Sequence, residues 1–216
     1  MKEQIKILFV CHGNICRSPA CEAVMKDIVS RAGQADRFYI ASAATTENEI
    51  WGGVGNPVYP PMQRVLASHG LSCEGKRAVL LTRKDYSCYD YLIGMDNENL
   101  HDMKYICGGD PEGKMSLLMS WTGEDREVSD PWYTRDFEAA YRDIVEGCKA
   151  LFEKLTMMDA VTAACGGEKI DSSLLTYSCL DDIIESAEEL GLELDYGFHD
   201  ELGNKPFEVD FVLRKS

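Results

Sequence analysis

Apolar residues fill the positions from Ile5 to Val10, with only Lys6 interrupting. A run of that length, rich in β-branched side chains, predicts a strand covered on both faces, as in a parallel sheet. The pattern breaks at Cys11-His12-Gly13-Asn14-Ile15-Cys16-Arg17-Ser18, and Pro19 then opens a stretch with helical spacing to about residue 32. Proline is favoured in the first turn of a helix, and the serine before it is a capping residue type. The segment reads as strand, loop and helix.

Further strands are predicted at residues 38–42 and 91–95, with a weaker one at 115–119. Helical patterns lie between them at residues 62–69, 83–87 and 98–103. Phe137, Ala140, Tyr141, Ile144, Val145, Cys148, Leu151 and Leu155 then recur at helical spacing. That pattern continues to about residue 164, where Gly166-Gly167 ends it. Strands alternating with helices imply an α/β fold, here three layers built on a parallel sheet. Ligands of such sheets bind beyond the carboxyl ends of the strands, which is where the Cys11 loop falls.

The tail has its own pattern. Leu180, Ile183, Ile184, Ala187 and Leu190 form a second helical stripe. Leu192, Leu194, Tyr196 and Phe198 alternate, as do Phe207, Val209, Phe211 and Leu213, and residues 200–205 with Gly203-Asn204 predict a hairpin turn between them. In that hairpin Tyr196 and Phe211 share a face, and Glu193 and Asp195 share the other with Glu208 and Asp210.

Composition separates this tail from the rest. Residues 156–216 hold 14 acidic and 4 basic residues, a net −10, and the remaining chain carries −5 of the total −15. The expected organisation is an α/β domain over residues 1–155 followed by a small acidic α+β extension over 156–216. At 45% hydrophobic and 27% charged residues the chain reads as globular. No apolar run approaches the about 20 residues of a membrane span, and no small-residue cleavage site follows residues 5–10. A cytoplasmic location is expected. The negative charge argues against nucleic acid or a membrane surface as partner. Nine scattered cysteines without a Cys-x-x-Cys pair make no disulfide framework, and the four histidines complete no zinc pattern. No metal or other cofactor is expected.

Chemistry concentrates in the first loop. Cys11 and Arg17 are separated by five residues between a strand and a helix. A tight loop there can turn backbone N–H groups inward, and the helix N-terminus adds partial positive charge. Arg17 offers a planar fork matched to two phosphate oxygens. The same field favours the thiolate form of Cys11. Gly13 permits close backbone approach, and Asn14 tolerates a left-handed conformation. A bare Cys-x5-Arg arises often by chance. After an apolar strand and before Ser-Pro and a helix, it is specific.

Residues 10–19, Val-Cys-His-Gly-Asn-Ile-Cys-Arg-Ser-Pro, resemble the active-site loop of the low-molecular-weight protein tyrosine phosphatases. Asp130-Pro131-Trp132-Tyr133 resembles their general-acid loop, and similarity continues through Ser42-Ala43, Trp51, His69-Gly70, Asp90-Tyr91 and Met95-Asp96 to about residue 155. The resemblance implies a metal-independent phosphatase that works through a phosphocysteine on Cys11. It implies that Asp130 protonates the departing oxygen and then deprotonates water. The phosphate-binding loop would comprise His12, Gly13, Asn14, Ile15, Cys16 and Ser18, with Ser18 stabilising the thiolate and Asn14 and Ser42 supporting the loop. Trp51, Trp132 and Tyr133 would wall a slot for a phenyl ring. A reversible Cys11–Cys16 disulfide is implied as well. The substrate would be a phosphotyrosine protein or peptide, and phosphate or a similar oxyanion would occupy the loop.

Three alternatives frame this reading. Related bacterial arginine phosphatases carry Thr at the loop position of Ile15, and isoleucine favours a phenyl ring over a guanidinium. A thiol-linked arsenate reductase needs two further closely spaced cysteines, and Cys88 has no such neighbour in sequence. A silent phosphopeptide-binding module would normally lack Cys11 or Asp130. Lys76 departs from the resemblance, because the family often has a histidine there that joins the Asn14–Ser18 network. Loop support is therefore expected to differ.

Overall fold

A computed structural model describes residues 4–164, 192–197 and 210–215. The chain forms two compact units, Met1–Phe152 and Glu153–Ser216. In chain order the first unit contains β1 (Ile5–Cys11), α1 (Arg17–Arg31), β2 (Phe38–Ala44), β3 (Ile50–Trp51), β4 (Val54–Gly55) and α2 (Pro60–Ser68). It continues with the one-turn α3 (Asp85–Cys88), β5 (Tyr91–Gly94), α4 (Asn97–Cys107), β6 (Met115–Leu117), the one-turn α5 (Pro131–Thr134) and the start of α6 (Phe137–Ala164).

β1 lies inside a four-stranded sheet of order β2-β1-β5-β6, and every pairing is parallel. The apolar run earns both covered faces: Ile7, Phe9 and Val10 are fully buried and Leu8 nearly so. Leu8 and Val10 join Leu92, Met103, Cys107 and Met115 in one buried cluster, so α4 covers their face. Period-two alternation sends Ile7 and Phe9 to the opposite face. α1 packs on β1 and β2, and α6 approaches α1 where the Cys148 thiol meets the Cys21 carbonyl. The result is the expected three-layer α/β domain.

Local differences have local causes. The fourth strand ends at Leu117 rather than residue 119, because Leu118 takes helical angles and Met119–Thr122 form a 3-10 turn. The β3–β4 hairpin was not predicted; two residues per strand are too few to show periodicity. α4 starts at Asn97, with the Asp96 side chain accepting from Asn99 N–H as its cap. Ser18 does not cap α1. That helix begins at Arg17, its N-cap position is Cys16, and no side chain bonds there.

In the second unit β7 (Leu192–Gly197) and β8 (Asp210–Lys215) pair antiparallel. Tyr196 stands opposite Phe211, as the alternation predicts. Glu193 stands opposite Arg214 and Asp195 opposite Val212, so the register sets no like charges directly across from each other. The stripe at 180–190, the turn at 200–205, and Phe198, Phe207, Glu208 and Val209 lie outside the described residues.

Candidate active site

The parallel register brings the chemistry to one sheet edge. Cys11 ends β1 opposite Ala44, and Val10 pairs with Gly94, two residues before Asp96. The carboxyl ends of three strands thus converge where α1 begins, the place where such folds hold ligands. Residues 12–16 bridge β1 to α1. His12 is fixed by Thr46, whose N–H donates to its carbonyl at 3.1 Å, and its Nε2 lies 3.0 Å from Asn48 Nδ2. A Cβ on Gly13 would come within 2.9 Å of Glu49 Cγ, which leaves room for glycine alone without a shift. Ile15, half-buried, accepts Tyr59 N–H at its carbonyl.

Asn14 adopts the left-handed conformation, φ 53°, inside the protein at 1% exposure. Its side chain is fully engaged. Nδ2 donates to Ser18 Oγ and to Ser42 Oγ, both at 2.9 Å, and Oδ1 accepts Val79 N–H at 3.0 Å. Those three bonds hold a backbone geometry that a non-glycine residue rarely takes.

Cys11 Sγ lies 3.0 Å from Ser18 Oγ and 3.5 Å from Ser18 N. Because Asn14 donates to Ser18 Oγ, the hydroxyl proton is left for Sγ or for the more distant Ala43 carbonyl at 3.4 Å. The sulfur is the nearer acceptor. Cys16 shares the loop, and its thiol is pushed up, first by burial and next by Cys11, with Arg17 offsetting part. It stays a neutral thiol.

Arg17 is 4% exposed. Nη1 donates to Asp96 Oδ2 at 2.7 Å, and Nη2 lies 2.9 Å from Asp130 Oδ2. Burial opposes its charge, but Cys11, Asp130 and Asp96 outweigh burial and raise its affinity for the proton. Asp130 caps α5 through Oδ1, which accepts Trp132 N–H at 2.8 Å, with Pro131 at the first helical position. Its two oxygens therefore serve different partners. Trp51 on β3 and Trp132 and Tyr133 on α5 are 72%, 62% and 81% exposed, with the Arg135 guanidinium over the Trp132 ring at 5.5 Å.

Sequence reasoning missed three contributors. Asp96 orients Arg17, and its position just past the carboxyl end of β5 was the available signal. Glu22 accepts Ser42 Oγ–H at 2.6 Å and pairs with Lys76 at 2.8 Å and Lys26 at 2.6 Å. Burial works against the Glu22 carboxylate, but bonds from Lys26, Lys76 and Ser42 hold its carboxyl below the usual range. Lys76 Nζ also donates to the Ser42 carbonyl at 3.1 Å. The lysine therefore supports the loop indirectly, through Ser42, at the position where the chain departs from the resemblance. Among the remaining described cysteines, Cys21, Cys107 and Cys148 are buried as expected of small apolar groups, whereas Cys88 is exposed.

A buried arginine fork beside a thiol, at the carboxyl edge of a parallel sheet, defines a cysteine-type phosphate-ester site. Residues 6–160 match the family described as low molecular weight phosphotyrosine protein phosphatase, and the chain belongs to that family. The rat member is 37% identical over 153 residues, covering 68% of this chain and 94% of the rat protein. YfkJ of Bacillus subtilis, named a low molecular weight protein-tyrosine-phosphatase, is 32% identical over 155 residues, 70% of this chain and 96% of that protein. Its crystal structure superposes with a TM-score of 0.67 over 72% of this chain and 96% of YfkJ. A Drosophila arginine phosphatase, DARP, is similar at 30% identity and TM-score 0.62, over 69% of this chain and 96% of DARP. The protein is a protein tyrosine phosphatase, a hydrolase. Among the described residues no helix is long and apolar enough to cross a membrane.

Proposed function

We propose that this chain hydrolyses phosphotyrosine in a protein or peptide through a phosphocysteine on Cys11. The observation that carries the mechanism is Arg17, buried, anchored by Asp96 and within ion-pair distance of Asp130. In the first step the Cys11 thiolate attacks phosphorus, and the bond from phosphorus to the tyrosyl oxygen breaks. Asp130 gives its proton to that oxygen, so a phenol leaves rather than a phenolate. In the second step the Asp130 carboxylate takes a proton from water, whose oxygen attacks phosphorus and releases phosphate and the thiolate. Ser18 Oγ–H, 3.0 Å from Sγ, stabilises the thiolate as nucleophile and as leaving group. Arg17 and the N-terminus of α1 oppose the negative charge of the phosphoryl oxygens. Trp51, Trp132 and Tyr133 offer flat apolar faces to the substrate ring, and Ile15 favours that ring over a guanidinium.

Turnover of para-nitrophenyl phosphate and of phosphotyrosine peptides tests this reading. The parent should be active with chelator present, and Cys11→Ser should be inactive while still binding phosphate. Retained turnover in Cys11→Ser, or dependence on a divalent metal, would overturn it. The same reading assigns activity to residues 1–155 and treats 156–216 as an acidic extension. It is supported by relatives that span nearly their whole length within 70% of this chain. A protein truncated after Leu155 should keep aryl phosphate turnover.

A further inference from the structure

Asp130 stands at the end of a segment that is fastened from two directions. Toward the sheet, Val128 N–H donates to the Met95 carbonyl at 3.0 Å, and the Val128 side chain is 2% exposed. Glu127 Oε1 accepts both Asn97 N–H at 2.8 Å and Asn97 Nδ2 at 2.7 Å. Toward α6, Ser129 N–H donates to Asp143 Oδ2 at 2.9 Å. The second oxygen of Asp143 accepts Arg126 Nη1 at 2.7 Å, and Arg126 also pairs with Glu146 at 2.7 Å and with Glu124. Met95 and Asn97 flank Asp96, which holds Arg17, so one short stretch anchors both the clamp and the segment that carries the acid.

Asp143 takes no part in the chemistry derived above, yet both of its oxygens hold residues just before Asp130. We propose that Asp143 is a positioning residue for the general acid. Its carboxylate, oriented by Arg126, fixes the Ser129 N–H and thereby sets where Asp130 Oδ2 stands against Arg17. The inference rests on Asp130 being the acid. The Ser129 N–H lies in the planar Val128–Ser129 peptide, so only the φ and ψ of Ser129 separate that fixed plane from the peptide that carries the Asp130 nitrogen. On its other side Asp130 is already bound by α5, where its carbonyl accepts Tyr133 N–H and Thr134 N–H at 3.1 Å. Proton transfer needs the acid within hydrogen-bond reach of the departing oxygen, and small displacements are costly there. The bland alternative is a surface charge cluster, which is worth little to stability when exposed. Arg126 and Glu146 are 36% and 50% exposed, but Asp143 is 19% exposed and bonds a backbone N–H, which a chance surface pair would not do.

The experiment reads kcat/KM, which covers events up to departure of the first product, across aryl phosphates from para-nitrophenyl phosphate to phenyl phosphate. Parent, Asp143→Ala, Asp143→Asn and Arg126→Met are each compared with and without Asp130→Asn. Asp143→Ala should lose about ten-fold on phenyl phosphate, whose leaving group needs the proton, and about two-fold or less on para-nitrophenyl phosphate. Inhibition by inorganic phosphate should not weaken, because Arg17 and its anchor Asp96 are untouched. Asp143→Asn keeps an oxygen for Ser129 N–H and should lose less. In the Asp130→Asn background the Asp143 effect should vanish, because residues acting through one group are non-additive. A loss that is uniform across leaving groups, or that persists at full size beside Asp130→Asn, overturns the positioning role and leaves Asp130 as the acid. Absence of leaving-group dependence in Asp130→Asn itself overturns the acid reading and this proposal with it. Should Asp143→Ala fail to fold, Asp143→Asn and Arg126→Met decide by the same pattern.

Discussion

Arg17 and Asp130 face each other as an ion pair, Nη2 to Oδ2 at 2.9 Å, on the side of the guanidinium that Asp96 leaves open. A phosphate dianion held by Arg17 must contend with that carboxylate. Asp130→Asn should therefore tighten inhibition by phosphate or vanadate by about five-fold, equivalent to the about 1 kcal/mol between unit charges 4 Å apart in water. The same variant should lose about 10²–10⁴-fold on substrates with poor leaving groups and less on good ones. Inhibition constants for the two proteins decide it. Equal values would mean that the Arg17–Asp130 pair does not compete with the ligand.

Lys76 and Glu22 hold the loop support from below Ser42, with side chains 18% and 13% exposed. Lys76→Met removes the ammonium from the Ser42 carbonyl and leaves the Glu22 carboxylate one partner short, and should cost about 1–3 kcal/mol of stability. Glu22 titrates below its usual range in the folded protein. Its stabilisation is thus present above the ordinary carboxylate range and is lost as pH falls through the lowered folded value. Thermal melts of parent and variant should diverge at pH 7 and converge as pH is lowered. A constant gap would assign the cost to packing.

Cys16 is kept as a thiol because burial and the charge of Cys11 push its proton affinity up. Peroxide should convert Cys11 to a sulfenic acid, and the Cys16 thiolate then attacks its sulfur, closing a disulfide and expelling hydroxide, which takes a proton from solvent to become water. Closure should be slow near pH 7 and faster toward pH 9, where more thiolate forms. The fraction of activity recovered by dithiothreitol after a peroxide pulse should rise with pH in the parent and stay flat in Cys16→Ser. Matching recovery curves would remove Cys16 from any protective role.

Ile15 presents a half-buried side chain in the loop, with its carbonyl fixed by Tyr59. Ile15→Thr should lower phosphotyrosine turnover and raise turnover of phosphoarginine relative to it. Competition between the two substrates measures the ratio. If the parent already prefers phosphoarginine, the role given to Ile15 is wrong.

Much of the protein was legible from local signals. The run from Ile5 to Val10 read as a covered strand, and Ile7 to Val10 lose their water on both faces of the sheet. Cys11, Arg17, Ser18 and Asp130 stood out as candidates because they fall in two short motifs of fixed spacing, and the fold brings Cys11 to Ser18 and Arg17 to Asp130. Glu22 lies on α1, Asp96 caps α4 and Lys76 lies in the loop between α2 and α3; Asp96 is 79 positions from Arg17, and Glu22 and Lys76 are 20 and 34 positions from Ser42. No period or motif links such residues; the register of β1 with β2 and β5 does so, by setting strand ends side by side. Asp143 was invisible for the same reason, since a charged residue between Tyr141 and Ile144 on an amphipathic helix reads as solvated surface. The sequence alone determined the strand–loop–helix unit and the Cys11–Arg17 spacing within it, which depend on neighbours in the chain. Tertiary packing alone decided which carboxylates hold Arg17, Ser42 and the acid segment, because hydrogen bonds between distant elements exist only once the sheet has brought them within 3 Å of each other.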